Sequence, residues 1–270
     1  MRGSLRYLIA LAVAAFSFVT YYCNRQTNPV TGEVQHVNMT TEQEIALGLQ
    51  AAPQMAQQYG GLHPDQQASA AIKRIGAALV QSSKADQSPY KFDFHLLADE
   101  QTINAFALPG GQVFITAGLL KNMKTEGQVA GVLAHEIGHV IGRHSAEQLA
   151  KSQLTQGLAG AATIAAYDPD SPGSSIGKAA VAAAIAKVVS LRFGREDELE
   201  SDRLAVQYTA DAGYDPRAMI QVMEILAQAG GQSRGPEFMS THPDPGNRVG
   251  VLEKEISERF PSGVPSGLKQ

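Results

Sequence analysis

His135-Glu136-Ile137-Gly138-His139 constrains the fold more than any other stretch of this chain. Two histidines four residues apart stand one turn above each other on a helix, so both imidazoles leave one face. Glu136 lies beside the first of them, on an adjacent part of the same side. The flanks are apolar, from Val129 through Ala134 and again at Val140 and Ile141. Two imidazoles and a carboxylate are costly to bury on so apolar a helix unless they share a partner. The spacing therefore predicts a buried helix whose His135 and His139 meet at one divalent ion, with Glu136 placed to take a proton from water without being a ligand.

An open metal site of this kind needs a third protein ligand. A longer form of the motif supplies a third histidine six residues on. Here Gly142 fits that form, but Ser145 stands at the histidine position and His144, one residue early, is expected to point off the metal face. The better source is Glu196-Asp197-Glu198-Leu199-Glu200-Ser201-Asp202, in which three glutamates compete. Glu198 and Asp202 are four apart and share a helix face. One of them can bind the ion while the other accepts from the second nitrogen of a ligand imidazole. Glu196 and Glu200 read as a solvated helix start. Imidazole and carboxylate donors suit zinc. A single cysteine, Cys23, excludes both an internal disulfide and a Cys-rich structural zinc site.

The rest of the chain predicts an α+β fold, predominantly helical. Phe92, Phe94 and Leu96 alternate with polar residues as in a half-buried strand. Ile103–Ala107 and Val113–Thr116 flank Pro109-Gly110-Gly111 and read as a hairpin, giving a small antiparallel sheet of about three strands. No βαβ alternation follows. Helices are expected from Thr41, with Thr41 as cap and Glu44 as its capping-box partner, over Asp65–Val80, and from Glu126 to about Glu147 behind a Thr125 cap. Others are expected near Glu196–Gly213, Pro216–Gln228 and Asn247–Phe260. The Ala-rich runs 154–166 and 176–190 admit three readings: a flap over the site, core helices, or a membrane hairpin.

Arg2, Arg6 and the apolar run Leu8–Val19 mark residues 1–22 as a signal or membrane-anchor segment. Cleavage, retention as an anchor, and cleavage before Cys23 with lipid attached there all compete; Tyr21 and Tyr22 occupy positions where lipidation signals place small residues. Residues 23–40 read as a linker, 41–262 as the folded domain and 263–270 as a flexible tail. The net charge of −4 argues against a general nucleic-acid binder.

Several of these residues together resemble the M48 peptidases. His135-Glu136-Ile137-Gly138-His139-Val140 with Arg143-His144-Ser145, Asn104 through Gly111, Glu198 with Asp202, and Thr241-His242-Pro243 followed by Arg248 are similar to that family's motifs. Asn28-Pro29-Val30-Thr31-Gly32 is similar to the start of its exported bacterial members. The resemblance implies a gluzincin-like zinc endopeptidase domain with one catalytic zinc, Glu198 as third ligand and Asp202 behind a ligand. It implies catalytic roles for His242 and Arg248 as oxyanion donors, or His242 as a fourth ligand that holds the site latent. Asn104, Ala105 and Phe106 become an edge strand that binds extended or unfolded polypeptide. The implied setting is the bacterial periplasm, with membrane contact through the N-terminal segment and outer-membrane assembly machinery as a candidate partner. A chaperone-like assembly factor with latent peptidase activity is the alternative. Both Ala-rich runs are too short for the membrane-spanning members, so CAAX processing is not expected.

Overall fold

The computed structural model describes residues 2–166, 192–230, 236–243 and 246–270. The second Ala-rich run, 176–190, lies outside the described residues. In chain order the elements are α1 (Arg2–Cys23), β1 (Arg25–Thr27), β2 (Val34–His36), α2 (Thr41–Gln58), α3 (Gln66–Gln81), β3 (Asp93–Leu97), β4 (Ala105–Ala107), β5 (Gln112–Thr116) and α4 (Ala117–Leu120). Then follow α5 (Glu126–Ile141), α6 (His144–Ala166), α7 (Arg195–Asp211), α8 (Ala218–Gly230), α9 (Glu237–Thr241) and α10 (Arg248–Arg259). The fold is α+β and predominantly helical.

Helix α5 is the axis of the core. The Thr125 hydroxyl caps it by accepting from Gln128 N–H, and all residues from Gly127 to Ile141 are buried. Val129, Val132, Leu133 and Ile137 join one cluster with Ile75 and Leu79 of α3, Ile115 of β5, Val206 of α7 and Val222 of α8. Burial of each such side chain contributes about 1.5–3 kcal/mol, so the motif helix is fixed by packing on every side.

The three-stranded sheet runs in the order β3-β5-β4. β4 and β5 form the expected hairpin, but β3 pairs with β5 in parallel, so the sheet is mixed and not antiparallel throughout. Alternation of side chains predicts a strand and its faces; it carries no information on direction. The chain leaves β3, builds β4 at the far edge and returns between the two.

Four local expectations also change. The cap of α2 is Thr40, whose hydroxyl accepts from Gln43 N–H while Gln43 closes the capping box. Glu44 is instead buried, where Arg143 Nε donates to it at 2.8 Å and Tyr90 at 3.1 Å. The helix expected over 126–147 breaks at Gly142-Arg143, because Arg143 adopts φ 57° and turns the chain into α6. The stretch read as a linker holds the β1–β2 hairpin. Its buried Asn28 donates to Ile141 O at 2.8 Å and Gln35 donates to Gly142 O, so two side-chain amides occupy the exposed carbonyl end of α5. The tail is not free either: Lys269 pairs with Gly213 and Asp215 through backbone bonds of 2.9 and 2.8 Å.

Helix α1 packs along α6. From Leu5 to Cys23 it is long and apolar enough to cross a membrane, and Leu8, Leu11, Phe16 and Val19 are exposed. Cys23 is exposed and unpaired with any other cysteine.

Candidate metal centre

Helix α5 presents His135 and His139 one turn apart, and Gly138 between them lets α7 come close. A β-carbon at Gly138 would lie 3.0 Å from Ser201 Cα. That approach sets the first two turns of α7, with Glu198 and Asp202, against the histidines. From the other side α9 delivers His242 at its C-terminal end.

Four donor atoms from His135, His139, Glu198 and His242 lie within 4.8 Å of one another. Nε2 of His139 is 3.0 Å from Nε2 of His135 and 3.1 Å from Nδ1 of His242. Glu198 Oε1 is 3.1 Å from His242 Nδ1 and 3.5 Å from His139 Nε2, and Glu198 Oε2 is 3.4 Å from His135 Nε2. Tetrahedral ligands at about 2.0–2.2 Å from an ion are themselves about 3.3–3.5 Å apart. The observed separations of 3.0–3.5 Å lie at or a few tenths of an ångström below that range, and all four side chains are at most 1% exposed. Converging nitrogen lone pairs at this range repel unless a cation or protons lie between them, so the donor set fits a metal ion.

The groups behind the cluster are as ordered as the cluster itself. His135 Nδ1 is 2.9 Å from Asp202 Oδ1. Arg248 holds Asp202 in a two-pronged grip, Nε to Oδ2 and Nη2 to Oδ1, both 2.7 Å, and its Nη1 is 3.1 Å from Glu198 Oε2. Its guanidinium therefore engages both Asp202, behind the cluster, and Glu198 within it. Burial alone would raise the Asp202 pKa, but hydrogen bonds from Arg248 and His135 bring it below its ordinary value. Burial likewise works against the charged form of His135, yet Asp202 and Glu198 outweigh it and hold the imidazole up at about 9. Burial pushes His139 well down, towards the neutral ring.

Glu136 is fully buried, and neither of its oxygens has a hydrogen-bond partner among the described residues. His242 Nε2 is 3.6 Å from Glu136 Oε1. Burial raises the pKa of Glu136. A carboxylate so placed is poised to accept a proton rather than to hold a structural bond.

A cleft opens beside His242, lined by Tyr59, Asn104, Phe106, Phe193, Glu237 and Thr241 among others. The His242 ring is stacked on Phe238, with centroids 4.4 Å apart, and Phe193 stacks on His139 at 4.0 Å. Edge strand β4 forms one rim. Asn104 and Leu108 face their backbone groups towards β5, so by antiparallel alternation Ile103, Ala105 and Ala107 turn theirs to the free edge. Phe238 N–H takes Ile103 O at 3.2 Å; no described backbone group bonds to the outward groups of Ala105 or Ala107. Of the three expected strand residues, Ala105 therefore offers backbone and Phe106 a cleft side chain. Asn104 spends its backbone on Thr116 and donates from its side chain to Tyr59 at 3.2 Å.

The structure brings together His135, Glu136, His139, Glu198, Asp202, His242 and Arg248. The sequence reading set aside His144, which contacts His139, and Glu200, which contacts His144, and it missed Phe193, Tyr59 and Glu237. None carried a local signal; His144 is turned inward by the left-handed Arg143.

A family model described as Peptidase family M48 matches residues 66–256. A beta-barrel assembly-enhancing protease of Escherichia coli (strain K12) is 32% identical over 203 residues, covering 72% of this chain and 40% of that protein. A protein of Vibrio cholerae described as a putative beta-barrel assembly-enhancing protease is 32% identical over 241 residues, covering 86% of this chain and 48% of that protein. The mitochondrial metalloendopeptidase OMA1 of Schizosaccharomyces pombe is 29% identical over 260 residues, covering 92% and 71%. The chain spans less than half the length of these two bacterial relatives.

Proposed function

Because the chain belongs to peptidase family M48, we propose that it is a zinc-dependent endopeptidase that cuts unfolded or misassembled proteins of the bacterial cell envelope. The observation that carries this reading is the convergence of His135, His139 and Glu198 beside a buried Glu136 that accepts no hydrogen bond from the described residues. His135 and His139 bind through Nε2, and Glu198 supplies the carboxylate. Zinc held there supplies a Lewis acid that polarises the scissile carbonyl and acidifies water. Glu136 accepts the proton of the attacking water and returns it to the leaving amine. His242 Nε2, 3.6 Å from Glu136, is a side chain available to the developing oxyanion.

The outward groups of Ala105 and Ala107 support binding of an extended chain by strand addition, with Phe106 and Phe193 beside it. Backbone pairing selects for extended conformation more than for sequence, which favours unfolded substrate. An unfolded casein-like protein should be cut by the wild type, spared by Glu136→Gln and spared after chelation, while compact globular proteins resist. Equal cutting of folded and unfolded substrates contradicts the strand-addition reading.

His242 supports a second reading. Its Nδ1 is 3.1 Å from both Glu198 Oε1 and His139 Nε2, close enough to fill a fourth position and hold the enzyme latent. His242→Ala should then raise peptidase activity. Unchanged or lost activity, with zinc retained, counts against latency. A chaperone-like factor that rarely cleaves predicts instead that Glu136→Gln supports envelope integrity as well as wild type.

The exposed apolar α1 and the bacterial relatives support a periplasmic location with membrane contact, and outer-membrane assembly machinery as partner. Lipid at Cys23 is a separate claim: mass spectrometry finding an unmodified Cys23 in the membrane-bound protein removes it.

A further inference from the structure

The two histidines of α5 are supported differently. His135 leans directly on a carboxylate, whereas Nδ1 of His139 is 2.9 Å from Nδ1 of another imidazole, that of His144. Nε2 of His144 is in turn 3.1 Å from Glu200 Oε2. His144 is 1% exposed, and the Ser201 hydroxyl is 3.4 Å from its Nδ1. Proton placement follows from these contacts. With His139 Nε2 turned to the metal position, the proton of its neutral ring sits on Nδ1 and donates to His144 Nδ1. His144 then carries its own proton on Nε2 and donates to Glu200.

The backbone is shaped to allow this. His144 follows the left-handed Arg143, and its ring folds back over the end of α5 into space that exists because residue 142 is glycine. A β-carbon at Gly142 would lie 2.3 Å from His144 Nε2, although φ there is an ordinary −66°. Asn28 and Gln35 hold the carbonyls of this turn, and Glu44 holds Arg143.

We propose that His144 is a positioning residue for the metal ligand His139, fixing its tautomer and ring orientation through a His139–His144–Glu200 relay. The inference rests on the reading of His135, His139 and Glu198 as metal ligands. It assigns a role to Gly142 and Glu200, neither of which reaches the metal position.

Zinc affinity, measured by competition with a chromophoric chelator, and the visible spectrum of the cobalt-substituted protein test it. Replacing a group that orients a metal ligand typically costs about 10–100-fold in metal affinity. His144→Phe should weaken zinc by that factor and alter the cobalt bands. His144→Asn, whose amide oxygen still accepts from His139, should recover part of the loss. Gly142→Ala should behave like His144→Phe without touching any ligand. Should His144→Phe fail to fold, Glu200→Leu against Glu200→Gln makes the same comparison, with Gln retaining an acceptor. Wild-type zinc affinity and cobalt bands in the folded His144→Phe and Gly142→Ala proteins overturn the inference. A wild-type protein that binds no divalent metal overturns the underlying ligand assignment instead.

Discussion

Helices α5 and α7 meet through Gly138 and Ser201 with scarcely a side chain between them. Helix α9 brings His242 to the same cluster quite differently, through a few polar contacts and two aromatic faces. Tyr59 donates to Glu237, Phe238 N–H to Ile103 O, Phe193 N–H to Thr241 O, and His242 packs against Phe238 and Phe193. The inner wall is a backbone-level contact inside the main hydrophobic core, so helix packing alone holds its candidate ligands in place. The outer wall is a five-residue helix, too short to be stable without its neighbours. A donor carried on the inner wall suits permanent ligation, and one on the outer wall suits a ligand that can leave.

The largest effect should come from chemistry on the inner wall. Glu136→Gln should lower kcat by about 10²–10⁴-fold, the usual contribution of a general base, while metal content stays at the wild-type level. Loss of metal together with activity would mean that Glu136 helps build the wall.

Asp202→Ala comes next. It removes the acceptor of His135 and leaves the buried Arg248 without its bidentate partner, so zinc should bind about 10–100-fold more weakly. Breaking a buried charge pair from one side typically costs about 3–5 kcal/mol, which chemical denaturation of the metal-free protein reads. Gly138→Ala should act more mildly, forcing α7 away from α5 at a cost of about 1–3 kcal/mol and weakening zinc severalfold. Metal affinity unchanged in Gly138→Ala would deny the close helix contact its role.

The smallest effect belongs to the outer wall. Tyr59→Phe removes the bond to Glu237 and the acceptor of the Asn104 amide and should cost about 0.5–1.5 kcal/mol per bond, with zinc affinity unchanged. If Tyr59→Phe weakened zinc as much as Gly138→Ala does, the two walls would be one unit and the comparison would fail.

The inner wall was legible in the sequence because helical spacing is a local rule. His135, Glu136 and His139 follow from four-residue periodicity, and the same rule pairs Glu198 with Asp202 on one face of a second helix, whereas the choice of Glu198 as the ligand came from resemblance. Side-chain donors of the same kind on either element could be matched without knowing how the elements meet. Resemblance, not spacing, pointed to His242 and Arg248. The direction of β3 was not legible, since alternation is blind to whether neighbouring strands run parallel. His144 was misread for a reason that is also local: a continuous helix over 126–147 aims it away from the metal face, and only the left-handed Arg143 turns it inward. The roles of Asn28 and Gln35 depend on contacts more than a hundred residues apart in sequence, which no periodicity reveals.

The claim on which the rest depends is that one ion sits between α5 and α7. Anomalous diffraction from crystals of the zinc-loaded protein, recorded on both sides of the zinc absorption edge, tests it directly. One peak should appear, within bonding distance of His135 Nε2, His139 Nε2 and a Glu198 carboxylate oxygen. A peak anywhere else on the chain, or none there from protein that carries one zinc per molecule, contradicts the account.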